Sequence, residues 1–151
     1  MRSARQAAAW AAWSLALNLL WEVAQLPYYS FAPDLGTAGI AWAVVHCTAG
    51  DVAIALASFG AGTLATGDLE WPVRRSALGL AVALGAGLAW TVPSEWLNVH
   101  VRGAWAYAPS MPTLAGIGVL PILQWIVLPP LVLLAVRRGE TAARRHDARS
   151  D

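Results

Sequence analysis

Lysine is absent from this chain of 151 residues, and all ten of its basic residues are arginine. Cysteine occurs once, at Cys47, which excludes an intrachain disulfide and a CxxC redox centre. Quinone-linked disulfide chemistry therefore has no residues to run on. Charge is scarce, with 13% of residues Asp, Glu, Lys or Arg against about 25% in soluble domains. The formal net charge of +1 leaves no basic surface for a nucleic-acid partner. Apolar residues make up 58% of the chain, and the mean hydropathy is +0.52. These values argue against disorder and against an ordinary water-soluble enzyme, and they point to a membrane protein.

Four apolar runs, at about 7–26, 40–65, 76–97 and 114–136, each reach the roughly 20 residues that cross a hydrocarbon core of about 30 Å. The expectation is an all-α, polytopic membrane protein: an antiparallel four-helix transmembrane bundle over residues 1–136. The polar, Arg-rich tail 137–151 is expected to be disordered and cytoplasmic. The first run follows Arg2 and Arg5 as a signal peptide would. It is too long for one, and it carries Asn18 and Glu22 where cleavage would fall, so it reads as a retained helix. Nine arginines fall on the side of both termini and the second loop, and Arg102 alone falls on the other. Such a bias puts both termini in the cytoplasm. Ala49, Ala53, Ala57, Ala61 and Ala65, with Ala77, Ala81, Gly85 and Ala89, form small-residue ridges suited to close packing of the second and third helices.

Ionisable residues inside a span cost about 2.5–3.5 kcal/mol on the lenient scale and call for a reason. Ser14, Asn18, Glu22 and Gln25 make one polar stripe at helical spacing; Thr91, Glu95 and Asn98 make another, continued by Arg102. His46, Thr48 and Asp51 lie in the second run, and Gln124 beside Trp125 in the fourth. Counting about 1.5 Å per residue places Glu22, Gln25, Glu95, Asn98, His46 and Gln124 in the outer half of the membrane, as one shared pocket facing the periplasmic side, with Asp51 somewhat deeper. Asp51 sits about 140° around the helix from His46, toward a different neighbour. Asn, Gln and Ser also serve as interhelical glue, so the clustering carries more weight than any single residue. Pro93, Pro121 and Pro129-Pro130 interrupt the helical bonding beside this layer, as helix breaks bordering cavities do.

Trp21, Trp96, Trp105, Tyr107 and Trp125 accompany the polar groups and offer aromatic walls for an apolar ligand or a cationic intermediate. Trp10, Trp13 and Trp71 read as an interfacial belt. A twofold repeat is also visible. Glu22-x-x-Gln25 leads to Tyr29-Ser30-Phe31-Ala32-Pro33-Asp34, and Glu95-x-x-Asn98 leads to Trp105-Ala106-Tyr107-Ala108-Pro109-Ser110. This is a parallel repeat about an axis along the membrane normal, setting Glu22 and Glu95 across a central cavity.

Glu22, Glu95 and His46 are the candidate catalytic groups, an acid and base with a proton partner. Gln25, Asn98, Gln124, Asn18 and Asp51, with the five aromatics, are the candidate ligand contacts. The matching substrate is a membrane lipid or isoprenoid-like molecule, and the reaction an isomerisation, hydration or cyclisation. A small proton or solute carrier, or a structural subunit of a membrane complex, is the alternative; the chain's small size favours a homo-oligomer in that case. A metal is not expected: Glu22, His46, Asp51, Glu95 and His100 could serve as ligands, but Gln25 and Asn98 stand where a Glu-x-x-His pair would put histidine. No cofactor is indicated.

The strings Asn18-Leu19-Leu20-Trp21-Glu22, His46-Cys47-Thr48-Ala49-Gly50-Asp51 and Glu95-Trp96-Leu97-Asn98, then Trp105-Ala106-Tyr107 and Met111-Pro112, resemble a family of small bacterial four-helix membrane proteins. The resemblance covers all but the tail and implies the four-helix inner-membrane fold, without naming an activity. A weaker similarity in chemistry alone is to membrane-embedded isoprenoid enzymes such as sterol isomerases and carotenoid cyclases or hydratases.

Overall fold

A computed structural model describes residues 2–31 and 35–150, with side chains for 3–31, 35–143 and 145. The protein is mostly helical: α1 (Arg2–Gln25), α2 (Gly36–Thr66), a short α3 (Trp71–Arg74), α4 (Ser76–Trp96) and α5 (Val119–Ser150). Around the long helices the contacts run α1 to α2, α2 to α4, α4 to α5 and α5 back to α1, which makes a ring with α1 and α4 on one diagonal. Three helical segments among the described residues are long and apolar enough to cross a membrane: Gly36–Thr66, Ser76–Arg102 and Val119–Ala143. α1, which carries the polar stripe, is not among them.

The distribution of side chains is inverted relative to a water-soluble bundle. Leu20, Leu64, Trp42 and Trp90 are exposed, while Ser14, Asn18, Glu22, Gln25, Thr48, Ser58, Thr91, Glu95 and Gln124 are buried. At the end of the bundle that carries the termini the interior is largely apolar, with Gln6 and Glu140 among the polar side chains buried beside it. Trp10, Phe59, Trp71, Ala83, Val132, Leu133 and Val136 form one core there. Trp10 Nε1 donates to the Ala55 carbonyl and Trp71 Nε1 to the Phe59 carbonyl, at 3.1 and 3.2 Å. Trp10 and Trp71 are thus core residues and not belt residues; Trp13 remains exposed.

Several boundaries differ from expectation. The fourth long helix starts at Val119, because Thr113–Leu114 and Ile117–Gly118 form a tight hairpin turned by Ala115 and Gly116, both at positive φ. Pro121 therefore falls in a first helical turn, where its missing N–H costs nothing. After Trp96, α4 relaxes into a π turn over Leu97–Arg102. The tail, expected to be disordered, continues α5 to Ser150. Its Ala, Arg and Glu residues favour helix, and Arg5 grips Glu140 through two hydrogen bonds of 3.0 and 2.9 Å.

The α2–α4 pair packs through other ridges than the alanine ones. Ala49, Ala53, Ala57 and Ala65, and Ala77, Ala81, Gly85 and Ala89, are exposed, and Ala61 is half-buried. The buried ridge of α4 is Gly79, Ala83, Gly87, Thr91 and Glu95. Large indoles select it: a Cβ on Gly79 would collide with Trp71, and one on Gly87 with Trp125. Gly87→Ala is accordingly expected to destabilise the protein by about 1–3 kcal/mol, the usual effect of overpacking. Gly85, one turn fraction away, faces open space, and Gly85→Ala should stabilise by up to about 1 kcal/mol. Thermal denaturation of the two variants in the same detergent checks the contrast.

At the opposite end the two halves meet. Tyr29–Ser30 pairs antiparallel with Ala106–Tyr107, in the register Tyr29 to Tyr107 and Ser30 to Ala106. Ser30 and Ala106 are equivalent positions of the repeat, so the ladder is centred where a twofold axis would pass. The Ala32-Pro33-Asp34 part of the repeat lies outside the described residues. The same interval that separates Glu22 from Glu95 separates Asp51 from Gln124 and Arg2-Ser3-Ala4 from Arg75-Ser76-Ala77.

Candidate functional site

The polar stripe of α1 continues the buried face begun by Gln6 and Trp10, so Ser14, Asn18, Glu22 and Gln25 all point into the ring. On α2 the inward face is Thr48, Asp51, Ala55 and Ser58, at steps of three and four. On α4 it is Thr91 and Glu95. Gln124 of α5 completes the layer.

Gln124 ties three helices together. Its Nε2 donates to Asn18 Oδ1 at 2.8 Å and to Asp51 Oδ2 at 2.7 Å. Asn18 Nδ2 in turn donates to the Ser14 carbonyl at 2.7 Å. The Asp51 and Glu22 carboxyls face each other across α1 and α2 within interaction range. Gln25 Nε2 donates to Glu22 Oε1 at 2.7 Å, and Trp21 Nε1 fixes the Gln25 carbonyl oxygen at 3.1 Å. The amide is thereby aimed at the acid.

Glu95, from the diagonal helix, lies within electrostatic range of Glu22 and Asp51. Tyr107 donates its hydroxyl to Glu95 Oε2 at 2.6 Å, with Trp105 Nε1 at 3.5 Å from the same oxygen. Tyr29 packs against Tyr107 with ring centroids 5.7 Å apart and the rings tilted by 59°. Burial pushes the Tyr107 phenol above its ordinary range, and donation to Glu95 pushes it further. Burial, then the field of Glu95, does the same to Tyr29. Tyr107 is therefore a neutral donor throughout the physiological range.

Four of the sequence-level candidates are placed elsewhere. His46 is exposed on the outer side of α2, against Trp42 at 6.1 Å, and is not a partner of the carboxyls. The turn of about 140° between His46 and Asp51 gives the inward position to Asp51 instead. Trp96 is exposed and packs on His100. Asn98 donates to the Ser94 carbonyl at 2.9 Å and is spent within its own helix. Trp125 is buried deeper, against Gly87. Tyr29, not singled out by the sequence, is signalled only by its place in the repeat. Among the described residues no three His, Cys, Asp or Glu side chains converge to hold a metal ion.

The site has the groups to hold and move protons: two neighbouring carboxyls held by amide donors, and a third carboxyl with a phenol donor. Comparison with known proteins finds no matching family model, curated protein or solved structure.

Proposed function

We propose that the chain is a bacterial inner-membrane protein whose four long helices cross the bilayer with both termini in the cytoplasm. Within the outer half, in this reading, it carries an acid–base site for a lipid or isoprenoid-like molecule. The apolar exterior and polar interior support the membrane placement, and the nine-to-one division of arginines supports the orientation. The observation that carries the function is the inward placement, on three helices, of the buried Glu22 and Glu95 and the half-buried Asp51, with Gln124 bonded to Asp51 and Tyr107 to Glu95.

In the simplest chemistry, Glu22 or Asp51 in its protonated form adds a proton to one carbon of a substrate double bond, leaving the positive charge on the other carbon. Glu95 removes a proton from a neighbouring carbon, and the double bond has moved with no net gain or loss of atoms. Trp105 and the two tyrosines wall the cationic stage. Gln25, Asn18 and Gln124 hold the acids in place. Hydration and cyclisation begin with the same proton transfer.

Native mass spectrometry of the detergent-purified protein beside Glu95→Gln tests the reading. A discrete lipid-sized adduct on the wild type, weakened in the variant, is the expected result. A bare protein in both spectra counts against it. The second reading, a proton or small-solute carrier, draws on the polar column that runs from Asp51 through Gln124 and Asn18 toward Ser14. Proton flux into liposomes carrying the protein, followed with an entrapped pH dye, would replace the first reading with the second.

A further inference from the structure

Below the carboxyls, on the side of the termini, lies a small cavity between α1, α2 and α5. Ser14, Asn18, Ser58, Gln124, Trp125 and Pro129 contribute to its wall. About 10 Å³ is open to the centre of a water-sized sphere, close to the minimum that one water molecule needs. The wall carries groups in need of a partner. Ser58, only 2% exposed, has a hydroxyl that bonds to nothing among the described residues. Pro129 has no N–H, so the Trp125 carbonyl is left without its helical donor, and both residues border the cavity. The Asn18 and Gln124 amides supply further polar wall.

We propose that this cavity is a water site, in which one molecule accepts from the Ser58 hydroxyl and donates to the Trp125 carbonyl. Most of the wall is apolar, with Trp10, Leu128 and Val132 in it, but the unpaired Ser58 hydroxyl separates it from the dry, wholly apolar cavities that take up hydrocarbons or xenon. Proline breaks in membrane helices are satisfied by ordered waters in the same way. The bound water prolongs the Asp51–Gln124–Asn18 column inward by one step. There the column ends, against the apolar core of Trp10, Phe59 and Val132. The inference stands apart from the acid–base reading, because none of its partners is a carboxyl.

Ser58→Val gives opposite signs for a wet and a dry cavity. In a dry one, valine fills space and removes an unpaired hydroxyl, so Tm rises. With water bound, valine displaces it and leaves the Trp125 carbonyl unpaired, so Tm falls by several degrees; Ser58→Ala, which leaves the water room, falls less. The fall is the expected result, and a rise overturns the proposal. Should Ser58→Val not fold, the infrared spectrum of wild type minus Ser58→Ala decides. An O–H stretching band that moves when the buffer is made with oxygen-18 water supports the site. A difference spectrum insensitive to oxygen-18 overturns it.

Discussion

Replacing Glu95 by Gln is expected to lower turnover of the lipid recovered with the wild-type protein by about 100- to 10,000-fold, the usual contribution of a general acid or base. The fold should survive. Glutamine is nearly the shape of glutamate, and its carbonyl oxygen can still accept the Tyr107 hydroxyl that now lies 2.6 Å from Glu95. Glu22→Gln should behave alike, since an amide can take the place of one member of the Glu22–Asp51 pair. Both variants therefore elute as wild type and lose chemistry. Failure of both to accumulate in the membrane would instead make the two acids structural and remove the acid–base reading.

Gln124→Leu should carry the largest loss of stability. The substitution keeps a side chain of similar volume but removes the donor shared by Asn18 Oδ1 and Asp51 Oδ2. Each buried acceptor left unpaired costs about 1–3 kcal/mol, and more where the group is ionised. Two at once consume much of the 5–15 kcal/mol that a folded domain of this size commands. Thermal unfolding in detergent, followed by loss of monodisperse elution, measures the effect. A Tm within a degree of wild type would mean that the Gln124 bridge does not hold the three helices together.

The sequence foretold unequal parts of this arrangement, for physical reasons. The inward faces of α1 and α4 were legible because each helix has a single polar stripe: Ser14, Asn18, Glu22 and Gln25 on one, Thr91 and Glu95 on the other. A lone stripe in an apolar helix has only one place to go. The second helix has polar groups on two sides, and its own periodicity cannot choose between His46 and Asp51. The choice is made by Gln124, a residue far along the chain. The alanine ridges misled because small residues suit a lipid-facing surface as well as a packed one. What fixes the true ridge is the bulk of Trp71 and Trp125 against Gly79 and Gly87. The late start of α5 was written in Ala115-Gly116, a turn concealed within an apolar run.

The near-twofold relation between the halves bears on how such a site is diversified. In a dimer of two identical hairpins, a residue on the axis faces its own copy. Aspartates there would have to share a proton, and glutamines would leave no acid at that position. A single chain carrying both hairpins escapes that constraint, because mutation in one copy no longer alters the other. Here the axis holds Asp51 on one side and Gln124 on the other, acceptor to donor at 2.7 Å. Linking the hairpins turns an obligatory like-with-like contact into a complementary one, and frees each half to take a different share of the chemistry.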